Sequence, residues 1–145
     1  MLNHSFKILD GGMGQELVKR ARHKLTPLWS ADVLRDHPDL VVDVHRDFIK
    51  AGADVITLSS YAATPTRIAK YNRQDEFKVL QKAAISAAKQ ACNDVELSPL
   101  IAGTLPPLPG SYRPSERLTS QCSQEEYLQI VEQQYKHVDL SLIHI

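Results

Sequence analysis

Two short polar segments in this 145-residue sequence combine residue types that could bind a small charged molecule. Asp10-Gly11-Gly12 places a carboxylate, which offers only hydrogen-bond acceptors to a cation, beside two glycines that let a ligand approach the backbone closely. Ser60-Tyr61 supplies two hydroxyl groups, each able to donate and to accept. The same residues also suit plain turns, because Asp-Gly-Gly needs no ligand to form one. Both segments are therefore candidate binding sites, with a simple loop as the alternative.

Both segments follow runs of residues that favour β-strands, and amphipathic runs lie between these strands. The alternation predicts βαβ units and a parallel sheet, either an open doubly wound sheet or a barrel. In both architectures, ligands bind at the carboxyl ends of the strands, where these segments and a proline-rich loop at 105–122 would lie. The predicted strands are 6–9, 54–59, 99–104 and 138–143, and the predicted helices are 15–22, 38 up to a stop at Gly52, 75–91 and 123–137.

Three of the predicted helices have apolar residues at helical spacing, and in the helix that begins at Pro38 these are Val41, Val44, Phe48 and Ile49. Residues 25–30 are predicted to form a loop. Ser123 and Glu126 fit a capping box at the start of the last helix. Its inward residues are predicted to be Tyr127, Val131, Tyr135 and Val138. The helix at 75–91 has an apolar stripe made of Phe77, Leu80, Ala84, Ala87, Ala88 and Ala91.

Charge and composition exclude several classes of protein. The 17 Lys and Arg residues balance 17 Asp and Glu residues, which argues against a nucleic-acid partner. No apolar run approaches the ~18 residues of a membrane span, and residues 1–7 lack the apolar core of a secretory signal. Cys92 and Cys122 form no metal or redox motif, which is typical of reduced thiols. We therefore expect a cytoplasmic protein without membrane partners.

Several segments together resemble the homocysteine S-methyltransferase family. The likeness runs in order from Lys7 to about Asp139. The segments that resemble the family are Ile8–Leu17, Leu28–Ala31, Pro38–Leu40, His45–Ile49, Ala51–Thr57, Ser60–Thr64 and Ile101–Pro107.

The resemblance implies an α/β fold, the (β/α)8 TIM barrel, of which residues 1–145 would form the N-terminal half. This half would contain about four βα units and end after the fourth strand. The family consists of transferases that move a methyl group from S-methylmethionine, S-adenosylmethionine or a betaine-type donor to the homocysteine thiolate, giving methionine. A zinc ion binds the homocysteine sulfur, and zinc favours the nucleophilic thiolate over the thiol. Homocysteine and a methyl donor are thus the implied partners, in methionine biosynthesis.

The resemblance also implies roles for individual residues. Asp10 would hold the substrate ammonium, and Gly11 and Gly12 would present backbone to its amino-acid end. Ser60 and Tyr61 would be substrate-binding residues after the second strand, although Leu58 stands where the family has a hydroxyl residue. No catalytic residue is assigned. The family's zinc ligands are cysteines in the second half of the barrel, so neither cysteine of this chain matches them, and no metal site is predicted.

Two further expectations concern the origin of the C-terminal hexapeptide and the behaviour of the isolated chain. Residues 140–145, LSLIHI, match the in-frame translation of a transposase adapter sequence, so we expect a non-native tail. We expect the chain alone to be inactive and marginally stable or aggregating, because a half-barrel leaves sheet edges open. Two alternatives are another barrel enzyme, pterin-binding or aldolase-like, and a non-catalytic half-barrel that serves as a binding scaffold.

Overall fold

A three-stranded parallel sheet with helices packed against it forms the centre of this α/β fold. The computed structural model describes residues 6–21, 28–108, 115 and 119–143. Its strands are β1 (Val55–Thr57), β2 (Leu100–Leu105) and β3 (Leu140–Ile143). Its helices are α1 (Met13–Ala21), α2 (Ser30–Asp36), α3 (Pro38–Lys50), α4 (Pro65–Ala69), a 3-10 turn (Gln74–Glu76), α5 (Phe77–Asn93) and α6 (Ser120–Gln134).

The strands lie side by side in the order in which they occur in the chain. Val55 is opposite Leu100 in the β1–β2 pair, and Ala102 is opposite Leu140 in the β2–β3 pair, both parallel. On the outer side of β1, Leu9 forms a single parallel bridge with Val55. The first predicted strand, 6–9, is therefore reduced to one bridge, while the predicted alternation and the parallel pairing are confirmed.

Two aspartates fix the register of neighbouring strands by the same device. Asp54 directly precedes β1, and its Oδ2 accepts the backbone N–H of Ile8 at 2.8 Å. Asp139 directly precedes β3, and its Oδ2 accepts the backbone N–H of Ile101 at 2.8 Å. In each case the carboxylate accepts a backbone N–H from the neighbouring segment that comes earlier in the chain, so a register shift would leave a backbone group without its partner.

The helices α3 and α5 supply much of the apolar core against the sheet. Val41, Val44 and Ile49 of α3 are buried, in agreement with the predicted helical spacing. None of the described helices combines the length and the apolar character that a membrane span requires. All six residues of the predicted α5 stripe are buried: Phe77, Leu80, Ala84, Ala87, Ala88 and Ala91.

The start of α6 differs from its prediction. The N-cap is Thr119, whose side chain accepts the N–H of Cys122 at 3.2 Å, so Ser123 lies inside the helix and caps nothing. Glu126 is buried, and its carboxylate accepts the N–H of Thr66 at 3.2 Å and the Thr66 hydroxyl. The predicted capping box is therefore wrong. Glu126 instead satisfies the first turn of α4, where backbone N–H groups lack intrahelical partners.

The buried face of α6 is also rotated from its predicted position. Glu126, Ile130 and Gln134 are buried, whereas Tyr135, predicted to point inward, is 56% exposed. Tyr127 and Val138, also predicted to point inward, are half-buried and pack against the apolar core, so the prediction is confirmed in part. Two of the three fully buried residues are polar, and apolar periodicity does not detect them.

Helix α2 was not predicted. It begins at Ser30, directly after Trp29, which has a left-handed backbone with φ of 48°. Residues 25–27 of the predicted loop at 25–30 lie outside the described residues, and Ser30 belongs to α2.

His45 on α3 is a buried titratable residue away from the strand ends. It is fully buried, and neither ring nitrogen has a hydrogen-bond partner within the described part of the chain. Burial lowers the pKa of His45 from 6.5 to about 4, because the charged imidazolium loses hydration that nothing replaces. His45 is therefore neutral in the folded protein at neutral pH.

We expect His45 to make the folded state sensitive to acid. Because its folded pKa lies below its unfolded pKa, the unfolded chain binds a proton first, and stability falls as the pH drops from about 6.5 toward 4. The shift corresponds to about 3 kcal/mol. Urea unfolding at several pH values should show this loss in the wild type. The loss should be absent in His45→Leu and kept in His137→Gln, an exposed control. If the free energy of unfolding of His45→Leu falls with pH as steeply as that of the wild type, the acid sensitivity does not come from His45.

Candidate functional site

Asp10 lies at the carboxyl end of β1, held there by Thr57. The Asp10 Oδ2 accepts the backbone N–H of Thr57 at 2.8 Å, and Oδ1 accepts the Thr57 hydroxyl. The backbone N–H of Asp10 also donates to the carbonyl of Val55 at 2.9 Å. These contacts fix the carboxylate at the edge where a parallel sheet places its ligands. Asp10 thus lies where the sequence predicts it.

Gly11 and Gly12 make the connection from Asp10 into α1. The Gly12 carbonyl accepts the N–H groups of Gln15 and Glu16 at 3.0 and 3.1 Å, so it begins the helix. A Cβ on Gly11 would lie 2.8 Å from Cε1 of Phe48, whereas the nearest atom to a Cβ on Gly12 would be 3.8 Å away. Close packing against α3 therefore explains the glycine at position 11. Packing does not explain Gly12, whose exposed backbone is open to a ligand.

Ser60 takes part in a buried hydrogen-bond cluster with Gln81, Gln134 and Thr104, called here the amide cluster. Ser60 is 1% exposed, and its Oγ accepts from Nε2 of Gln134 at 3.2 Å. The same Nε2 donates to Oε1 of Gln81 at 2.8 Å, and Gln81 in turn donates to the carbonyl of Ala63 at 2.9 Å. The cluster joins the loop after β1 to both α5 and α6.

The orientation of the Gln134 amide is determined by a backbone donor. Its Oε1 accepts the N–H of Thr104 at 2.9 Å, so the NH₂ group must point toward Ser60 and Gln81. The Thr104 hydroxyl donates to the carbonyl of Leu58 at 2.9 Å, which ties β2 to the end of β1 directly. A Cβ on Gly103 would lie 2.5 Å from Oε1 of Gln134. The glycine is therefore required for the amide to reach the strand.

Tyr61 is the exposed member of the predicted pair. It is 40% exposed, and the guanidinium of Arg67 lies 5.4 Å from the centre of its ring, a cation–π contact. The structure thus separates the two residues: the Ser60 side chain is enclosed by helices, while the Tyr61 ring lies at the surface.

The sequence prediction missed Gln81 and Gln134. Both are fully or almost fully buried, and both occur on helices whose inward positions were sought among apolar residues. The available signal was Gly103, since a glycine inside a strand often marks the close approach of another group. Ser59 was also not singled out; its Oγ is buried and has no hydrogen-bond partner among the described residues.

Neither cysteine of the chain fits a zinc site. Among the residues that the structure describes, no group of three or more His, Cys, Asp or Glu side chains could hold a metal. Cys92 is half-buried on α5, and burial together with the charge of Asp139 raises its pKa, which disfavours the thiolate that zinc binds. Cys122 is exposed in the first turn of α6. These thiols do not match a structural or catalytic zinc site.

Comparison with known proteins identifies the family. The family model for homocysteine S-methyltransferase matches residues 7–144. Homocysteine S-methyltransferase 2 of Arabidopsis thaliana is 36% identical over 89 residues, 61% of this chain and 27% of that protein. Homocysteine S-methyltransferase of Escherichia coli is 36% identical over 85 residues, 58% of this chain and 27% of that protein. The matched segment therefore spans about a quarter of these curated relatives.

A solved structure matches nearly the whole chain. The metallated form of the homocysteine methyltransferase MmuM from Escherichia coli superposes with a TM-score of 0.82 at 27% identity. The superposition covers 99% of this chain and 55% of MmuM. The chain thus spans about half the length of that structure.

Loss of the Gln134 amide should destabilise the fold. Gln134→Met keeps the length of the side chain but leaves the Thr104 N–H, Ser60 and Gln81 without their partner. We expect a loss of about 3 kcal/mol in the free energy of unfolding, measured by urea denaturation. Gln129→Met, at an exposed position of the same helix, is the matched control and should change little. Equal stabilities of the two variants would contradict the role given to the cluster.

Gly103→Ala should weaken the same cluster by displacing Oε1 of Gln134, at a cost of about 1–3 kcal/mol. Because both changes disrupt one set of hydrogen bonds, their effects should be less than additive in the Gly103→Ala/Gln134→Met double variant. Full additivity by urea denaturation would show that the two residues act separately.

Proposed function

The chain belongs to the homocysteine S-methyltransferase family, and from this membership we propose that it forms the N-terminal half of a (β/α)8 barrel that binds homocysteine at the carboxyl ends of its strands. The observation that carries the proposal is the family match over residues 7–144, combined with Asp10 fixed at that strand edge. The reaction of the whole protein would be transfer of a methyl group to the homocysteine sulfur, giving methionine.

The strand order supports the barrel over the doubly wound sheet. An open doubly wound sheet reverses its strand order at a switch point. Here the order from Leu9 through β1, β2 and β3 follows the chain without reversal. Four consecutive parallel segments with helices between them are what the first half of a barrel contains.

Asp10 is the proposed partner of the substrate ammonium. Its carboxylate accepts two hydrogen bonds from Thr57, which orient it before any substrate binds. A pre-oriented carboxylate loses little side-chain entropy on binding and gives a charge-assisted hydrogen bond to a cation. Gly11 and Gly12 would bring backbone groups next to the amino-acid end of the substrate, and Gly12 has the space to do so.

Ser60 and Tyr61 are the proposed substrate-binding residues after β1. The Gln134 amide donates to Ser60 Oγ and so directs the hydroxyl proton of Ser60 away from Gln134. Tyr61, which is 40% exposed, lies at the same strand end. The methyl donor proposed is S-methylmethionine, S-adenosylmethionine or a betaine-type compound, whose methyl group is bonded to a positively charged atom. The contribution of the residues at this edge is to hold and align homocysteine.

The proposal assigns zinc to the whole protein and not to the residues of this chain. The cysteines of this chain do not fit a zinc site, so no role in the reaction is assigned to them. We further propose that the protein is cytoplasmic. The two free thiols support the cytoplasmic location.

Homocysteine should bind the chain through Asp10. In an NMR titration of the ¹⁵N-labelled chain, homocysteine should shift the amide signals of residues 10–12 and 58–61. Asp10→Asn keeps an acceptor for Thr57 but lacks the negative charge that would pair with the ammonium. The affinity of this variant for homocysteine should therefore fall about tenfold. The affinity for 4-mercaptobutanoate, which lacks the ammonium, should not change.

The matched control is Asp75→Asn, an exposed aspartate, which should bind homocysteine as the wild type does. If Asp10→Asn binds homocysteine with wild-type affinity, Asp10 is not the ammonium partner.

The isolated chain should not catalyse the reaction. With homocysteine, zinc and S-methylmethionine or S-adenosylmethionine, methionine formation should stay at the level of a protein-free sample, because the two cysteines do not fit a zinc site and the described residues contain no cluster that could hold a metal. The homocysteine S-methyltransferase of Escherichia coli in the same assay is the positive control. Zinc-dependent turnover by the isolated chain would refute the half-barrel proposal.

A further inference from the structure

The first edge of the sheet, formed by the segment next to β1, directs backbone groups away from the sheet. The N–H of Val55 donates to the carbonyl of Ile8 at 3.1 Å, and the carbonyl of Val55 accepts from the N–H of Asp10 at 2.9 Å. Ile8 and Asp10 therefore face β1. Because successive residues of an extended segment face opposite sides, the N–H and C=O groups of Leu9 face outward, where no described strand lies.

The second edge, formed by β3, has the same pattern. Ala102 faces β1, since its carbonyl accepts the N–H of Leu58 at 2.9 Å, so its neighbour Gly103 faces β3. Of two opposite residues in a parallel pair, only one directs its backbone groups to the other strand. Ser141, which is opposite Gly103, therefore directs its N–H and C=O groups outward, and so does Ile143. Both edges run in the same direction, so each is a suitable parallel neighbour for the other.

The register across the sheet sets the stagger between the two edges. Leu9 is opposite Val55, which is opposite Leu100. The β2–β3 register brings Leu100 level with Val138. An eight-stranded parallel barrel accumulates a shear of about eight residues in a full turn, so each of two equal halves must supply about four. Leu142 lies four residues beyond Val138. Pairing Leu142 of one copy with Leu9 of another therefore supplies the stagger that closes a barrel.

We propose that the two edges bind each other in a symmetric dimer, in which two copies of the 145-residue chain close one eight-stranded parallel barrel. Leu142 of each copy lies opposite Leu9 of the other. The N–H of Leu9 then donates to the carbonyl of Ser141, and its carbonyl accepts from the N–H of Ile143. A two-fold axis makes the two junctions identical and leaves no edge open, whereas an unclosed row of copies would aggregate. The inference rests on the half-barrel of the proposed function and not on its ligand.

Exposed apolar side chains and the charge balance favour a second copy as the occupant of these edges. Leu128 and Tyr135 are exposed on α6, the last helix before β3, on the side opposite Glu126 and therefore away from α4. The chain has no net charge, so long-range repulsion does not oppose the association of two copies. Edge-to-edge contact removes apolar surface from water on both partners. The exposed apolar side chains are Phe6, Ile8 and Leu9 at the first edge, and Leu140 with Leu128 and Tyr135 at the second.

Light scattering after size-exclusion chromatography tests the dimer with two matched variants. Ile8 and Val79 are exposed to nearly the same extent, 60% and 62%, but only Ile8 lies at an edge. The wild type and Val79→Lys should have twice the mass of one chain, and their urea midpoints should rise with protein concentration. Ile8→Lys should raise the dimer dissociation constant at least about tenfold, because closure would bury its charge. Its far-ultraviolet circular dichroism should match that of the wild type, since position 8 is exposed in the single chain.

Disulfide cross-linking tests the register independently of the charge variant. Cys92 and Cys122 are first replaced by serine. Oxidation of chains that carry Leu9→Cys and Leu142→Cys should then give covalent dimers, because these positions of different copies lie opposite each other. Chains that carry Leu9→Cys and Leu97→Cys are the control, since Leu97 is exposed but lies at neither edge, and they should stay uncross-linked.

The outcomes separate the dimer from the proposed substrate. A monomeric wild type overturns the dimer and leaves both edges to another occupant, such as a second barrel half. A wild type that forms only large aggregates, or an Ile8→Lys dimer as tight as the wild type, overturns closure through these edges. Equal cross-linking of the two cysteine pairs overturns the register on which closure depends. Homocysteine binding is measured by the separate NMR titration, so its failure leaves the dimer intact, and a monomer leaves the substrate intact.

Discussion

The side-chain amide of Gln134 is the interaction on which the candidate site depends. Its oxygen accepts the Thr104 N–H at 2.9 Å, and its nitrogen donates to Ser60 and Gln81. One buried group thus connects the end of β2, the loop after β1 and two helices. Because a buried amide is costly unless all its hydrogen bonds form, the cluster permits only one relative position of these elements. Gly103 follows from this requirement, since any side chain there would occupy the space of the amide.

The site that results is divided into a rigid interior and an accessible edge. Gln81 and Gln134 belong to the interior, and Gln134 holds Ser60 by a hydrogen bond, whereas Gly12 and Tyr61 lie at the surface and Asp10 is oriented by Thr57. This division suits the binding of a small amino acid, because buried groups hold the side chains that would contact it in fixed positions. Membership of the homocysteine S-methyltransferase family is the reason that homocysteine is the ligand proposed for this arrangement. The order of the strands is the one expected for the proposed barrel half.

How much the sequence could predict depends on the kind of interaction. The α5 stripe and the parallel alternation were predictable, because apolar periodicity reports directly on burial. The Asp10-Gly11-Gly12 segment was predictable as a turn after a strand, because aspartate and glycine favour turns; its role as a binding site stays a prediction. Glu126 and Gln134 were not, because their partners, Thr66 and Thr104, are distant in sequence. A polar residue on a helix looks solvent-exposed until the tertiary contact that satisfies it is known.

The aspartates that precede β1 and β3 also bear on how the protein is made. Asp54 is satisfied by Ile8, and Asp139 by Ile101, so each carboxylate finds its donor in a segment that the ribosome has already released. The alignment of β1 and of β3 by these aspartates therefore requires no residue still to be synthesised. These two strands can each align on the segment before them in the direction of translation.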